Sequence, residues 1–205
     1  MIAQPMVKIE GFIKITNPET GEVLVDKKNA IHYENMSEAL ATTLANRGYG
    51  YIYQMAFGNG GSSIDSSGII TYLPPNTTGQ NASLYNQTYA KIVDDTNILN
   101  TNPARNRMTV NHISGNLYTD ILVQCLLDYG EPAGQDAFDN GTSTTSAYVF
   151  DELGLLADYG VDSAGNVQTK LLTHVIFHPV QKSLNRQIQI DYTVRIQSLT
   201  NQLTI

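Results

Sequence analysis

The segment RQIQIDYTVRIQ, residues 186–197, decides the fold class of this chain. Its apolar residues share one parity and its polar residues share the other. Successive side chains of a strand point to opposite faces, so this period of two predicts a strand with one buried face. We expect this strand to pair with LLTHVIF, residues 171–177, as a closing hairpin that turns around residues 179–186. The apolar positions are Ile188, Ile190, Tyr192, Val194 and Ile196.

Similar alternation predicts further strands along the chain. Apolar residues share one parity over 7–15, and the turn formers of NPETG (17–21) follow, which predicts an N-terminal hairpin. The strict alternation over 117–127 predicts another long strand, and residues 51–57 resemble a buried one. The segment LYNQTYAKIV (84–93) fits either a helix or a strand on its residues alone.

One short helix is predicted over about residues 35–48. Asn35 can act as the N-cap, and Glu38 three residues later completes a capping-box pattern. Apolar residues then recur at helical spacing, and Gly48 supplies a C-terminal stop.

These patterns together predict a mainly β chain: an antiparallel β-sandwich with one helix, in a single domain over residues 1–205. Two long polar loops are expected, at residues 58–83 and 129–146. Loops of this length are unusual inside a compact domain and often carry function. Because each loop holds apolar anchors, we expect both to be mobile in a free subunit and to order against a neighbour. The anchors are Ile64, Ile69, Ile70, Tyr72 and Leu73 in the first loop and Phe138 in the second.

The composition excludes several function classes. The formal charge of −7 and the isoelectric point near 4.9 argue against nucleic-acid binding, which depends on clustered Lys and Arg. The sequence has no apolar stretch of membrane-spanning length and no secretory signal pattern, so we expect synthesis in a cytoplasm. Cys125 is the only cysteine, and its apolar strand context predicts a small buried thiol.

The pair His174 and His178, in HVIFH, is the most suggestive feature for a metal site. On an extended strand these residues would lie about 13 Å apart, at roughly 3.3 Å per residue. Two ligands of one zinc ion lie within about 4 Å of each other, so a strand cannot bring both to one metal. We therefore predict no metal site here.

Other candidate sites are also weak. GNGGSS (58–63) is rich in glycine, but it lacks the Lys and the spacing of a phosphate-binding loop, so a flexible loop is predicted. Two carboxylate pairs occur, Asp94-Asp95 and Asp151-Glu152, but neighbouring residues on a strand point apart. We predict no catalytic, cofactor-binding or metal-binding residue, and therefore no enzyme.

Several segments, taken together, resemble virion proteins of tailed bacteriophages. Residues 9–61 run from a TGEV turn through a helix to FGNGG, as in an N-terminal module of those proteins. DELGL within residues 148–160, followed by the THVIFHPVQK segment within 171–197, resembles their ending. LYNQTYAKIVDD (84–95) and GNLYTDILVQC (115–125) lie between these segments in the same order, and on this basis a strand is preferred over 84–93.

The resemblance implies a β-rich structural subunit of the virion. Such a subunit would work in a ring of identical copies, six or twelve being plausible, in the neck, collar, baseplate or fibre-attachment region, beside other virion proteins. It implies no catalytic residue and no cofactor. The alternative is a capsid-decorating or carbohydrate-binding module that recognises a host surface. Twelve tyrosines and no tryptophan are compatible with both, since tyrosine is common at protein interfaces as well.

Overall fold

The computed structural model describes residues 6–133 and 148–199, and over these ranges the chain is mainly β, as predicted. The loop expected at 129–146 falls largely outside them, from residue 134 onward. The helix is α1 (Tyr33–Leu44). The strands are β1 (Met6–Thr16), β2 (Val23–Ile31), β3 (Ile52–Gly58), β4 (Ser62–Ile64), β5 (Ile70–Tyr72), β6 (Gln87–Ile92), β7 (Arg107–His112), β8 (Tyr118–Leu127), β9 (Tyr148–Val161), β10 (Val167–Leu171), β11 (Thr173–Lys182) and β12 (Ile188–Leu199).

Ten strands form one antiparallel sheet in the order β6-β3-β9-β11-β2-β1-β12-β8-β7, with β10 beside β9. β4 and β5 form a separate two-stranded hairpin. The sheet curls, so that Ile13 and Ile190 from one half share an apolar core with Phe57 and Leu153 from the other. The arrangement is therefore sandwich-like, but both layers belong to one continuous sheet.

Lys91 ties the two ends of the curled sheet together. It lies on β6, at one end of the strand order, and its Nζ donates a hydrogen bond of 2.7 Å to the carbonyl of Leu126 on β8. The same ammonium group pairs with the carboxylate of Glu131. A buried Lys needs such partners, because an unpaired charge away from water is costly.

The N-terminal hairpin is confirmed, but the predicted closing hairpin is wrong. β1 pairs with β2 as expected. β12 pairs with β1 on one side and β8 on the other, whereas β11 lies between β9 and β2. The alternation of β12 identifies a strand but not its partner. The matching apolar faces of β1 and β8 supply both neighbours, with Ile190 opposite Ile15 and Cys125.

The helix begins and ends earlier than predicted, and its cap differs. His32 is the N-cap, and its Nδ1 accepts a hydrogen bond of 3.2 Å from the backbone N–H of Asn35. Asn35 is buried, and its side-chain amide donates a hydrogen bond of 2.9 Å to the carbonyl of Leu171. The helix ends at Leu44, and the left-handed residue Asn46 turns the chain before Gly48 is reached.

Several further strands correct or extend the predictions from the sequence. The segment 84–93 holds strand β6, as preferred. The predicted loop 58–83 contains the β4–β5 hairpin, and β7, β9 and β10 were not predicted as strands. β7 is an edge strand with most residues exposed on both faces, so it lacks a strong apolar alternation.

Candidate functional site: a polar clamp beneath residues 58–86

The site is a set of three buried side chains, Asp151, Glu152 and His174, which we call the clamp. Asp151 and Glu152 lie on β9, and His174 lies on β11. Glu152 and His174 alternate in sequence with the core residues Leu153 and Val175, so they occupy the opposite face of the sheet. Residues 58–86, the clamped segment, cover this face and bury both side chains completely.

Glu152 is the centre of the clamp. Its Oε1 accepts hydrogen bonds from the backbone N–H groups of Gly60 (3.1 Å) and Asn86 (2.8 Å). Its Oε2 accepts from the N–H of Tyr85 (2.9 Å) and from Nε2 of His174 (3.0 Å). Burial by itself would raise the pKa of Glu152, but these donors outweigh burial and hold the pKa below its ordinary value. The buried carboxylate is therefore ionised and fully partnered.

Asp151 binds the clamped segment at the residues that follow Gly60. Its carboxylate accepts from the N–H groups of Gly61 (3.0 Å) and Ser62 (2.8 Å) and from the Ser62 hydroxyl. Although neighbouring strand residues were expected to point apart, the carboxylates of Asp151 and Glu152 both accept hydrogen bonds from the clamped segment. The register of β11 against β9 shifts between Ile176 and Val180, and this irregularity lies beside the pair. Both carboxylates act on backbone amides.

Asp94, of the other carboxylate pair, organises a turn. It accepts from the N–H of Thr96 at 2.9 Å and from the Thr96 hydroxyl at 2.7 Å. This is the local side-chain-to-backbone pattern that Asp favours in turns.

Three of the four histidines contact the clamped segment. Nδ1 of His174 accepts a 2.8 Å hydrogen bond from the N–H of Asn76, which leaves Nε2 as the donor to Glu152. Nδ1 of His178 lies 3.3 Å from the hydroxyl oxygen of Tyr72, and Nε2 of His32 lies 2.9 Å from the carbonyl oxygen of Gly79. The HVIFH motif therefore holds a neighbouring segment. Within residues 6–133 and 148–199, no three His, Cys, Asp or Glu side chains are grouped to bind a metal ion.

The glycines of GNGG allow close backbone approach. A Cβ atom on Gly58 would lie 2.4 Å from Oε1 of Glu152 and 2.6 Å from the carbonyl oxygen of Asn86. A Cβ on Gly60 would lie 2.9 Å from the N of Asn86, and one on Gly61 would lie 2.9 Å from Ile176. The predicted flexible loop is instead packed against its own sheet, and glycine is required where the backbones meet.

The clamp fixes the base of the β4–β5 hairpin, while its tip faces solvent. Leu73 donates to the Gly61 carbonyl at 2.9 Å, and Asp65 holds the turn by accepting from the N–H groups of Ser67 (2.8 Å) and Ile69 (3.0 Å). Ile64 and Ile69 nevertheless remain 65% and 60% exposed. The expectation of a loop that awaits a neighbour for its order therefore needs correction: hydrogen bonds to its own sheet hold it, and its apolar anchors stay uncovered.

Several concave surfaces lie away from the clamp, and two of them differ clearly in character. The larger of these two is a cleft of ≈ 560 Å³ whose walls include Lys8, Glu10, Lys28 and Tyr33. Glu10 pairs there with Lys8 at 2.9 Å and with Lys28 at 3.1 Å. The smaller is a groove of ≈ 240 Å³ between α1 and the strands β7, β8 and β12, and it is lined almost wholly by apolar side chains. We call it the apolar groove; its walls include Met36, Leu40, Met108, Val110, Ile121 and Ile196.

The sequence reading missed the clamp because none of its signals is local. Asp151, His174 and the glycines of residues 58–61 are distant in sequence, and only the sheet brings them together.

No helix in the described ranges is long and apolar enough to cross a membrane. Comparisons with known protein families, with curated proteins and with solved structures found no match to this chain.

Proposed function

We propose that this chain is a structural virion protein of a tailed bacteriophage that forms a ring of identical copies in the neck, collar or tail. The observation that carries the proposal is the β4–β5 hairpin, which presents exposed apolar side chains on a base fixed by the clamp. Exposed apolar groups gathered on one ordered element are typical of protein contact sites. The resemblance of residues 9–61 and 148–197 to phage virion proteins supports the same role.

The low charge of residues 48–90 also favours a protein contact at this surface. Asp65 is the only charged residue in the stretch 48–90, which includes the hairpin and the clamped segment. Interface centres are depleted of charged residues and enriched in tyrosine. The clamp also favours a contact here, because a segment that is already fixed loses less conformational entropy when a neighbour docks.

A second candidate function is recognition of a host-surface carbohydrate. The observation that favours it is the 560 Å³ cleft, where Tyr33 stands exposed beside polar groups that include Thr77 and Thr78. An aromatic face beside hydroxyl and charged groups can bind a sugar ring. Binding of host-surface glycans that is lost in Tyr33→Ala and retained in Tyr129→Ala would favour this function.

Electron microscopy of particles whose genome encodes this chain tests the proposal, with a gold-labelled antibody against the protein. We expect label confined to the head–tail junction or to the tail. Label spread over the whole capsid would support the decoration alternative, and unlabelled particles would contradict a virion role. Particles without the protein, made by interrupting its gene, serve as the control for non-specific label.

A further inference from the structure

One wall of the large cleft is tied to the sheet by a histidine. Thr77 and Thr78 line this cleft of ≈ 560 Å³ together with Tyr33. They directly follow Asn76, whose backbone N–H donates a hydrogen bond of 2.8 Å to Nδ1 of His174 on β11. His174 is fully buried, so water does not readily replace a partner that the ring loses. The position of the wall therefore depends on what the ring of His174 can accept.

The charge of His174 decides whether the bond to Asn76 can form. In the neutral ring Nδ1 accepts, and Nε2 carries the proton that it donates to Oε2 of Glu152 at 3.0 Å. In the protonated ring both nitrogens are donors. Protonation would turn the contact with Glu152 into an ion pair and would set a ring N–H against the N–H of Asn76. Two donors cannot bond, so the protonated ring would keep Glu152 and release Asn76.

We propose that His174 is an acid-sensitive latch on residues 75–78, the latched loop, and that uptake of one proton by the ring releases this loop and changes the shape of the cleft. Histidine is the side chain that ordinarily changes charge between about pH 5 and 8, so the latch would respond to mild acid. The proposal goes beyond the proposed function and does not depend on it, because it concerns one subunit alone.

Contacts on either side confine the change to the latched loop. Before the loop, the hydroxyl of Tyr85 donates to the Pro74 carbonyl at 2.8 Å. After it, Nε2 of His32 lies 2.9 Å from the Gly79 carbonyl. Nδ1 of His32 accepts from the N–H of Asn35, so Nε2 of that ring carries a proton and donates to Gly79 whatever the charge of the ring. Neither contact depends on the charge of His174.

Asn76 also has a second tie. Its side-chain amide donates to the Ser83 carbonyl at 2.8 Å, and this bond does not involve His174. The loop is therefore expected to shift between two fixed ends, with Asn76 losing the hydrogen bond of its backbone N–H. A change of this kind is local and leaves the sheet intact.

Titratable side chains from three elements adjoin His174. They are Glu152 on β9, Tyr72 and Tyr85 in the clamped segment, and Lys27 and Lys28 on β2. The phenols carry no charge near neutral pH. Both lysines are exposed, so solvent screens their charge, and Nζ of Lys27 donates to the Ile176 carbonyl at 2.7 Å. Glu152, in direct contact with the ring, is the charge that receives the imidazolium.

The test measures amide hydrogen exchange and the ¹⁵N shifts of the histidine rings in the full chain, at about pH 7.5 and about pH 5.5. The lower value lies above the isoelectric point near 4.9, where the protein would be least soluble. It also lies above the pKa of Glu152, which is lowered from 4.5, so the carboxylate stays ionised throughout. Exchange rates are compared as protection factors, which remove the intrinsic effect of pH.

We expect the ring of His174 to be neutral at the higher pH, with its proton on Nε2, and protonated on both nitrogens at the lower pH. The protection factor of Asn76 should fall by at least about tenfold, because loss of the partner of one poorly solvated donor changes a local equilibrium by about this factor. Tyr85 and Asn86, whose N–H groups donate to Glu152, should keep their protection.

Three results would overturn the proposal: a ring of His174 that stays neutral at the lower pH, a protonated ring with unchanged protection at Asn76, or an equal loss of protection at Asn76, Tyr85 and Asn86. The last would mean that the clamp opens as a whole. These outcomes need no variant, so the test does not depend on whether a substitution in the clamp folds.

Two variants assign the effect to one histidine. In His174→Gln the protection of Asn76 should be the same at both pH values, because the side chain no longer titrates. The matched control is His178→Gln, on the same strand and also beside the clamped segment through Tyr72, and it should keep the response of the wild type. A response that persists in His174→Gln, or that disappears in His178→Gln, would contradict the assignment to His174.

Discussion

Glu152 and His174 form a fully buried pair, with Oε2 of Glu152 3.0 Å from Nε2 of His174. The pair joins β9 to β11, and each partner also binds the clamped segment: Glu152 through three backbone amides and His174 through that of Asn76. The ordered state of residues 58–86 therefore depends on these polar contacts, together with the apolar cluster of Leu84 with Ala56, Leu156 and Leu171. The first prediction follows from this dependence.

Replacing Glu152 with Gln should destabilise the protein by about 2–4 kcal/mol. Hydrogen bonds to an ionised acceptor contribute about 1.5–3 kcal/mol each, and the new amide group would place a donor opposite backbone donors. Chemical denaturation gives the free energy of unfolding, and hydrogen exchange should show lost protection at Gly60, Tyr85 and Asn86. The exposed Glu34→Gln is the matched control and should change stability by less than about 0.5 kcal/mol.

Lowering the pH should remove the stability that the Glu152 carboxylate contributes. The folded pKa of Glu152 lies below its ordinary value of 4.5, so the unfolded chain takes up the proton first as pH falls. The stability from Glu152 is therefore fully present above pH 4.5 and is lost as pH falls through the folded pKa. Unfolding free energy measured from pH 6 downward should decline more steeply in the wild type than in Glu152→Gln. Parallel curves would show that Glu152 does not carry the acid sensitivity.

Replacing Gly58 with Ala should destabilise the protein by about 1–3 kcal/mol, the usual cost of forcing an extra carbon into a packed site. The new Cβ would meet both Oε1 of Glu152 and the backbone of Asn86. Thermal unfolding measures the effect, and Ser66→Ala on the exposed hairpin turn is the control. Wild-type stability in Gly58→Ala would mean that the segment is loosely held, as the sequence first suggested.

Lys182 should make stability rise with pH above neutrality. Its side chain is fully buried and donates 2.7 Å to the Ser183 carbonyl, and burial lowers its pKa from 10.5 to about 8. Between these values the unfolded chain binds more protons than the folded chain, so unfolding free energy increases with pH. From pH 7.5 to about 9.5 the wild type should gain up to about 2 kcal/mol relative to Lys182→Met, a difference that cancels the opposite effect of Cys125, whose buried thiol has a pKa raised from 9.0 to about 12 in both proteins.

The exposed Lys14→Met is the control for the lysine experiment. This variant should show the same rise in unfolding free energy with pH as the wild type. The pH range stops below the ordinary pKa of tyrosine, because burial raises the pKa of Tyr89 and Tyr148 to about 12 and their effect on stability has the opposite sign. An equal rise in Lys182→Met and the wild type would assign the effect to another group.

The strands were largely predictable because alternation is a local signal. The parity of residues 7–15, 117–127 and 188–196 matches β1, β8 and β12, and Ile13, Val123 and Ile190 are all buried. Pairing was less predictable: nothing within 186–197 tells that its neighbours come from the N-terminus and from residues 118–127. Partner choice depends on contacts distant in sequence.

The clamp was unpredictable for the same reason, and its parts gave misleading local signals. HVIFH resembled a metal pair until strand spacing argued against one, GNGGSS suggested flexibility, and DELGL carried meaning only through the resemblance. Each motif supplies one side of a contact whose other side lies elsewhere in the chain. His32 illustrates the point on a smaller scale, since it caps α1 while its other ring nitrogen contacts the Gly79 carbonyl.

The measurement that tests the central claim most directly is the absolute copy number of this chain in purified particles. Isotope-labelled peptides of the chain, added as standards before mass spectrometry, give copies per particle against a capsid protein of known number. A ring in the neck, collar or tail predicts six or twelve copies per particle. Hundreds of copies would instead indicate capsid decoration, and a chain absent from purified particles but present in the lysate would contradict a structural virion role.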